Sequence, residues 1–171
     1  QFQNPPDNVD RLPTMSTSAA APAKETAPQV VESQILGAIN ISLEACFDFP
    51  SGIFGFPACK RWVLVPAERP SFFWLQSMDC QSLAFLLVDP FTLSEDFYVD
   101  LPEGDLLPLK GNRSSEVGVL AIVTLPRDPA ETPTANLQGL LALNFTRRLG
   151  RQIIIQDSPY GTRWPLDLGA L

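Results

Sequence analysis

A chain of 171 residues, 45% hydrophobic and 18% charged, has a globular composition and the length of one domain with its own core. The net charge is −7 with no histidine, which removes Ser-His-Asp and Cys-His catalysis and the common imidazole metal sites, and three cysteines outside any C-x-x-C spacing argue against a disulfide framework or a zinc cluster. The longest apolar run, "LAFLLV" at 83–88, is strand length, far short of the roughly 18 residues of a membrane helix.

Residues 1–33 are rich in Pro, Ala, Ser and Thr with almost no large apolar side chain, and the composition predicts a disordered tail. Met15 is expected to be the natural start, the residues before it being an upstream extension of the reading frame. No charged start and apolar stretch of a secretory signal is present, so the expected location is the cytoplasm, with Cys46, Cys59 and Cys80 as reduced thiols.

From Gln34 the pattern changes to short apolar runs. Ile39, Ile41 and Leu43 alternate with polar residues, which predicts a strand with one buried face. "FPSGIFGFPACK" holds two prolines and two glycines and predicts a shaped loop before the strand "RWVLVP". "FFWLQS" follows, with Phe72 and Trp74 expected on one face and Phe73 and Leu75 on the other, so that both faces are buried or one is covered by a partner. "LAFLLVD", "VGVLAIVTL", "LQGLLALNF" and "RQIIIQD" repeat the rhythm, each rich in β-branched or aromatic residues. "LPRDPAETPTANLQ" carries three prolines and predicts a surface loop, while "TRRLG" predicts a hairpin turn with Gly150 at positive φ. At most one helical turn is expected, near Ser114–Val117. The fold class is therefore all-β, a small antiparallel barrel or roll with few or no helices. The domain is expected to span 34–166, with residues 167–171 as a C-terminal tail.

No phosphate-binding loop occurs; the glycines of "GIFGF" are flanked by bulky apolar residues. The acid excess sits in one segment, where Asp89, Glu95, Asp96, Asp100, Glu103 and Asp105 occur without a single base. Such a surface repels phosphate backbones, so direct nucleic-acid binding is disfavoured and a basic protein partner is admitted. A solvated loop is the alternative reading of the same acids, and nothing in it suggests the desolvation that general-acid catalysis needs.

"FPSGIFGFPACKRWVLV", "FFWLQSMDCQSLAFLLVDPF", "VLAIVTLPRDP", "TANLQGLLALN" and "RQIIIQDSPYGTRWPL" together resemble the flagellar assembly factor FliW family, in the family's order from Phe49 to Leu166. The chain departs from the family pattern at Phe54, Pro57, Gly139, Leu140 and Trp164. The resemblance implies a small cytoplasmic β-barrel protein that is not an enzyme and takes no cofactor or metal. It also implies two competing partners: newly made flagellin, and the RNA-binding translational repressor CsrA, whose capture relieves repression of flagellin synthesis. Two other readings stand beside it, a flagellin chaperone without repressor binding and a small-molecule-binding barrel.

On that reading the acids steer a basic partner, while exposed ion pairs contribute only about 0 to 1 kcal/mol each, so desolvated aromatic anchors must supply the affinity. The candidate partner-binding residues are Asp89, Glu95 and Asp96, with Phe91, Phe97, Tyr98 and Tyr160 as anchors. Asn136, Asn144, Gln156 and Asp157, polar residues of the family motifs, complete the set, with a turn cap as the competing role for each of the four and for Asp89. For flagellin, pairing along a sheet edge and a helix laid in an apolar groove are both open.

Overall fold

The computed structural model describes residues 29–109 and 117–168. Among the described residues there are ten strands: β1 (Gln29–Ser33), β2 (Gly37–Ile41), β3 (Cys46–Asp48), β4 (Arg61–Pro66), β5 (Phe72–Ser77), β6 (Ala84–Val88), β7 (Val117–Thr124), β8 (Thr134–Asn144), β9 (Leu149–Ile154) and β10 (Trp164–Pro165). One short helix, α1 (Glu103–Leu106), lies between β6 and β7. β3 to β9 form a closed seven-strand barrel, antiparallel between neighbours except where β9 returns parallel to β3 to close it. β10 adds two residues to the start of β8.

A barrel this small has room inside only for side chains. The interior draws one face from each of β3 to β8: Phe47 of β3, Trp62 and Leu64 of β4, Leu75 of β5, Leu87 of β6, Leu120 of β7, and Leu141 and Leu143 of β8 pack as one buried cluster with Phe49 and Ile53. Burial of each such side chain stabilises by about 1.5–3 kcal/mol. The alternate residues Val88, Val119, Ala121, Leu140 and Ala142 point outward but are also buried, because Phe97, Val99, Leu101 and Leu109 and the C-terminal Leu166 cover them. The near-continuous apolar runs of the sequence arise from this double burial.

β5 shows it directly. Leu75, with Phe73 behind it, faces the interior, and Phe72 belongs to the outer cluster. Trp74 lines a surface hollow, so one face of the aromatic run is not fully covered.

The amino-terminal expectation needs correction. Residues 29–33 are not tail but β1, paired antiparallel with β2 from Gln29 opposite Ile41 to Ser33 opposite Gly37, which sits at φ 75°. A two-stranded hairpin is marginal alone, and this one is carried by the barrel. Ser33 Oγ donates to Oε1 of the fully buried Gln76, Gln34 N–H donates to Gln81 O at 2.9 Å, and Ile39 and Ile41 pack on Val63. The rest of the expected tail, residues 1–28, lies outside the described residues. Leu43, placed in the alternation by sequence, opens a 3₁₀ turn instead and is 61% exposed.

Two further expectations change. Gly150 does not supply the positive φ of the β8–β9 hairpin; Arg148 does, at φ 56°. Gly150 is required for a different reason: a Cβ there would lie 2.2 Å from Cζ of the buried Phe49 ring. The helical turn expected near Ser114–Val117 falls mostly outside the described residues, and Val117 already belongs to β7. The helix that forms, α1, begins inside the acidic segment, with Glu103 and Asp105 in its first turn.

Candidate functional site

After β6 the chain makes a 3₁₀ turn capped by Asp89, whose Oδ1 accepts the Phe91 N–H at 3.0 Å and whose carbonyl accepts the Thr92 hydroxyl at 2.7 Å. The next stretch alternates: Phe97, Val99 and Leu101 are buried, while Tyr98 and Asp100 stand outward. The acidic segment is therefore only half a solvated loop, since its apolar side forms part of the core.

Opposite it runs the chain that leaves β9. Tyr160 joins the two. Its hydroxyl donates to Asp96 O at 3.2 Å and accepts the Tyr98 N–H at 3.0 Å. Its ring meets Phe97 at 4.9 Å between centroids and Trp164 at 5.8 Å, and Phe91 meets Phe97 edge-on at 5.2 Å. Such offset and edge contacts contribute about 0.5–1.5 kcal/mol each beyond area burial. They set the spacing of the two segments and leave a cleft of about 600 Å³ between them, lined by Tyr98, Asp100, Pro102, Asp105, Ile154, Gln156, Asp157 and Pro159 among others.

The cleft is apolar at its floor and acidic at its rim. Three of its lining residues are carboxylates, Asp100, Asp105 and Asp157, and among the described residues no lysine or arginine lines it. Asp105 accepts from Nη2 of Arg151 at 3.2 Å, whereas Asp100 and Asp157 have no salt bridge among the described residues. The cleft therefore presents negative charge beside exposed apolar surface: Tyr98 is 46% and Ile154 44% exposed.

The sequence-predicted residues separate into four groups. Tyr98, Tyr160, Gln156 and Asp157 line the cleft together with Phe97. Phe97 as a free anchor needs correction, because it is only 7% exposed and committed to the core; Phe91 packs half-buried against the same cluster. Glu95 and Asp96 are exposed on the approach to the cleft without lining it.

Asn136 and Asn144 belong to turns. On β8 the four residues 137–140 stand against the single Ala121 of β7, and Asn136 Oδ1 holds this excursion by accepting the N–H groups of Gln138 and Gly139 at 3.1 and 2.7 Å. The fully buried Asn144 accepts from Thr146 and Arg147 N–H at 3.0 and 2.8 Å and donates to Leu109 O at 3.3 Å, tying the β8–β9 hairpin to the segment after α1.

Sequence reasoning passed over Ile154 and named Asp100 only as one acid of the segment. The signal for Ile154 was present: three successive isoleucines in "RQIIIQD" cannot all face inward in a strand, since alternate side chains leave on opposite faces.

A second hollow, also about 600 Å³ and more apolar, lies between the β1–β2 hairpin and the barrel, lined by Leu36, Val65, Trp74, Leu86, Leu125 and Leu168. Among the described residues no group of three or more His, Cys, Asp or Glu could hold a metal ion, and no helix is long and apolar enough to cross a membrane.

The sequence profile of a family described as "FliW protein" matches residues 29–166. The flagellar assembly factor FliW of Natranaerobius thermophilus is 34% identical over 137 residues, covering 80% of this chain and 91% of that protein. That of Moorella thermoacetica is 37% identical over 139 residues, covering 81% and 87%, and that of Treponema denticola 32% over 134 residues, covering 78% and 90%. A crystal structure of a flagellar assembly factor FliW superposes with a TM-score of 0.73 at 29% identity, over 84% of this chain and all of the other.

Proposed function

Because this chain belongs to the FliW family of flagellar assembly factors, we propose that it works by switching between two protein partners, flagellin and a CsrA-type RNA-binding translational repressor. On this reading it is a binding protein of the bacterial cytoplasm and not an enzyme. The observation that carries the reading is the cleft between Tyr98 and Asp157, where two carboxylates with no salt bridge among the described residues, Asp100 and Asp157, border exposed apolar surface.

The physical division of labour follows. Carboxylates at Asp100 and Asp157, backed by Glu95 and Asp96 on the approach, attract a basic partner over a distance that shrinks to about 8 Å at physiological salt. Repressors that hold RNA carry the complementary charge. Once in contact, exposed ion pairs add little, and the affinity comes from apolar surface removed from water at Tyr98, Ile154 and the two prolines of the cleft. Two partners drawn to one cleft exclude each other, which makes a switch without any conformational change in this protein.

The test is a calorimetric titration of the protein with the repressor, with and without saturating flagellin, at low and high salt. Repressor binding that flagellin abolishes and salt weakens supports the switch. Binding to flagellin alone reduces the function to that of a chaperone, and Asp100→Lys with unchanged affinity for both partners removes the cleft from the account.

A further inference from the structure

Among the described residues, the wall of the barrel contains an open edge. β9 is paired with β8 from Leu149 to Ile154, but it meets β3 only where Asp48 stands opposite Leu149, with Asp48 N–H donating to Arg148 O at 2.9 Å. The phase of the β8 ladder determines which groups are left over. Ile155 N–H donates to Gln138 O at 2.8 Å, continuing the register in which Ile153 faces Leu140, so the backbone groups of residues 151, 153 and 155 point toward β8. Those of Gln152 and Ile154 point the opposite way, across the seam. Among the described residues no turn or loop backbone bonds to them.

The loop that follows β3 crosses the seam without filling this edge. It engages β9 through a side chain, Phe54 N–H donating to Gln152 Oε1 at 2.9 Å, and leaves Phe54 64% exposed. In the other direction the edge runs into the acidic cleft, since Ile154 and Ile155 line it beside Asp100 and Asp157. An open strand edge is a template for another strand unless charge selects what can approach. Here the charge is negative, and it lies at the end of the edge where an added strand would continue.

We propose that the Gln152–Ile154 edge of β9 takes a further strand: an extended partner segment of alternating apolar and basic residues, its backbone bonded to Gln152 and Ile154 and its basic side chains held by Asp100 and Asp157. This rests on the partner-binding reading above and chooses strand addition over a helix laid in a groove. Alternation matters because successive side chains of a strand leave on opposite faces, so the apolar and basic side chains of the added segment are separated onto two faces.

The experiment uses the full chain and two probe peptides, acetyl-Lys-Val-Arg-Val-Lys-Val-amide and its acidic counterpart acetyl-Glu-Val-Asp-Val-Glu-Val-amide, with amide hydrogen exchange read by NMR. The expected result is that only the basic peptide binds and that it slows exchange at Gln152 and Ile154 by about tenfold or more, as new backbone hydrogen bonds require. Ile154→Pro deletes an N–H that β8 does not use and is expected to weaken binding about tenfold. The double variant Asp100→Asn, Asp157→Asn leaves the edge intact and is expected to weaken binding and flatten its salt dependence. Failure of the basic peptide to bind, or binding that leaves both amides exchanging at their free rates, overturns the proposal. Flagellin and the repressor, titrated in the same series, separate the two readings. If neither protein binds, the proposed function falls; if they bind without protecting Gln152 and Ile154, only strand addition falls.

Discussion

The barrel is held differently at its two most contrasting joints. Along the β7–β8 wall seven residue pairs face one another, interrupted by one excursion, whereas at the β3–β9 seam a single pair does. The wall is closed by backbone hydrogen bonds with buried side chains on both faces. Beyond that one backbone pairing the seam is closed by side chains: the Phe49 ring lies against Gly150, and the Arg148 guanidinium sits 5.5 Å from the centroid of Phe47. Closing a barrel by packing leaves strand edge free for other uses, and the acidic cleft lies at the end of that edge.

Truncation at the wall should cost most. Leu141→Ala removes a fully buried side chain from the barrel interior and is expected to destabilise by about 3–4 kcal/mol in urea unfolding. At the seam, Gly150→Ala forces a methyl into the Phe49 ring, and the expected cost is about 2–3 kcal/mol. A cost near zero there would mean that the seam is not held by ring packing, and the contrast with the wall would fail. Gln152→Ala removes the hydrogen bond that the Phe54 N–H of the seam loop donates to β9. It should lower stability by less than about 1 kcal/mol while speeding hydrogen exchange at the Phe54 amide.

The smallest effect concerns the other side of the same loop. Asp79 Oδ2 accepts the Lys60 and Arg61 N–H groups at 2.7 and 2.9 Å where the loop enters β4, and these donors, the Arg61 bond first, hold its carboxyl below the ordinary carboxylate range. A depressed folded-state pKa means that its contribution is present above the unfolded pKa and lost as pH falls through the folded one. Asp79→Asn is therefore expected to lower the melting temperature slightly near neutral pH, with the gap from the parent protein closing in acid. A gap that stays constant into acid would show that the ionised carboxylate is not what clips the loop.

Much of this architecture was legible from local pattern. The runs that became β4 to β9 announced themselves by β-branched and aromatic composition, and the prolines of residues 126–133 marked the long connection before β8. The hairpin β1–β2 was half hidden because its strands are short and its burial is supplied from outside, by Val63 and Gln76. Within the candidate site, Tyr98, Tyr160, Gln156 and Asp157 were visible as aromatic or polar motif residues. Phe97 was misjudged because an isolated aromatic among acids gives no sign of which side of the chain it faces; only the alternation through Val99 and Leu101 onto the core decides it.

Strand identity, loop positions and the acidity of residues 89–105 are properties of neighbours in the chain, and they can be read from neighbours in the chain. Closure is not. Asp48 meets Leu149, Phe49 meets Gly150 and Phe54 meets Gln152, each across roughly a hundred residues. A two-residue period states which face of a strand is buried but carries nothing about which edge it will pair with, or whether that edge will be paired at all. The glycine expected to make a turn instead makes room for a ring, and the third isoleucine of a buried-looking run ends at the rim of a cleft. Those outcomes depend on what the folded chain places opposite each residue, and only the assembled barrel specifies it.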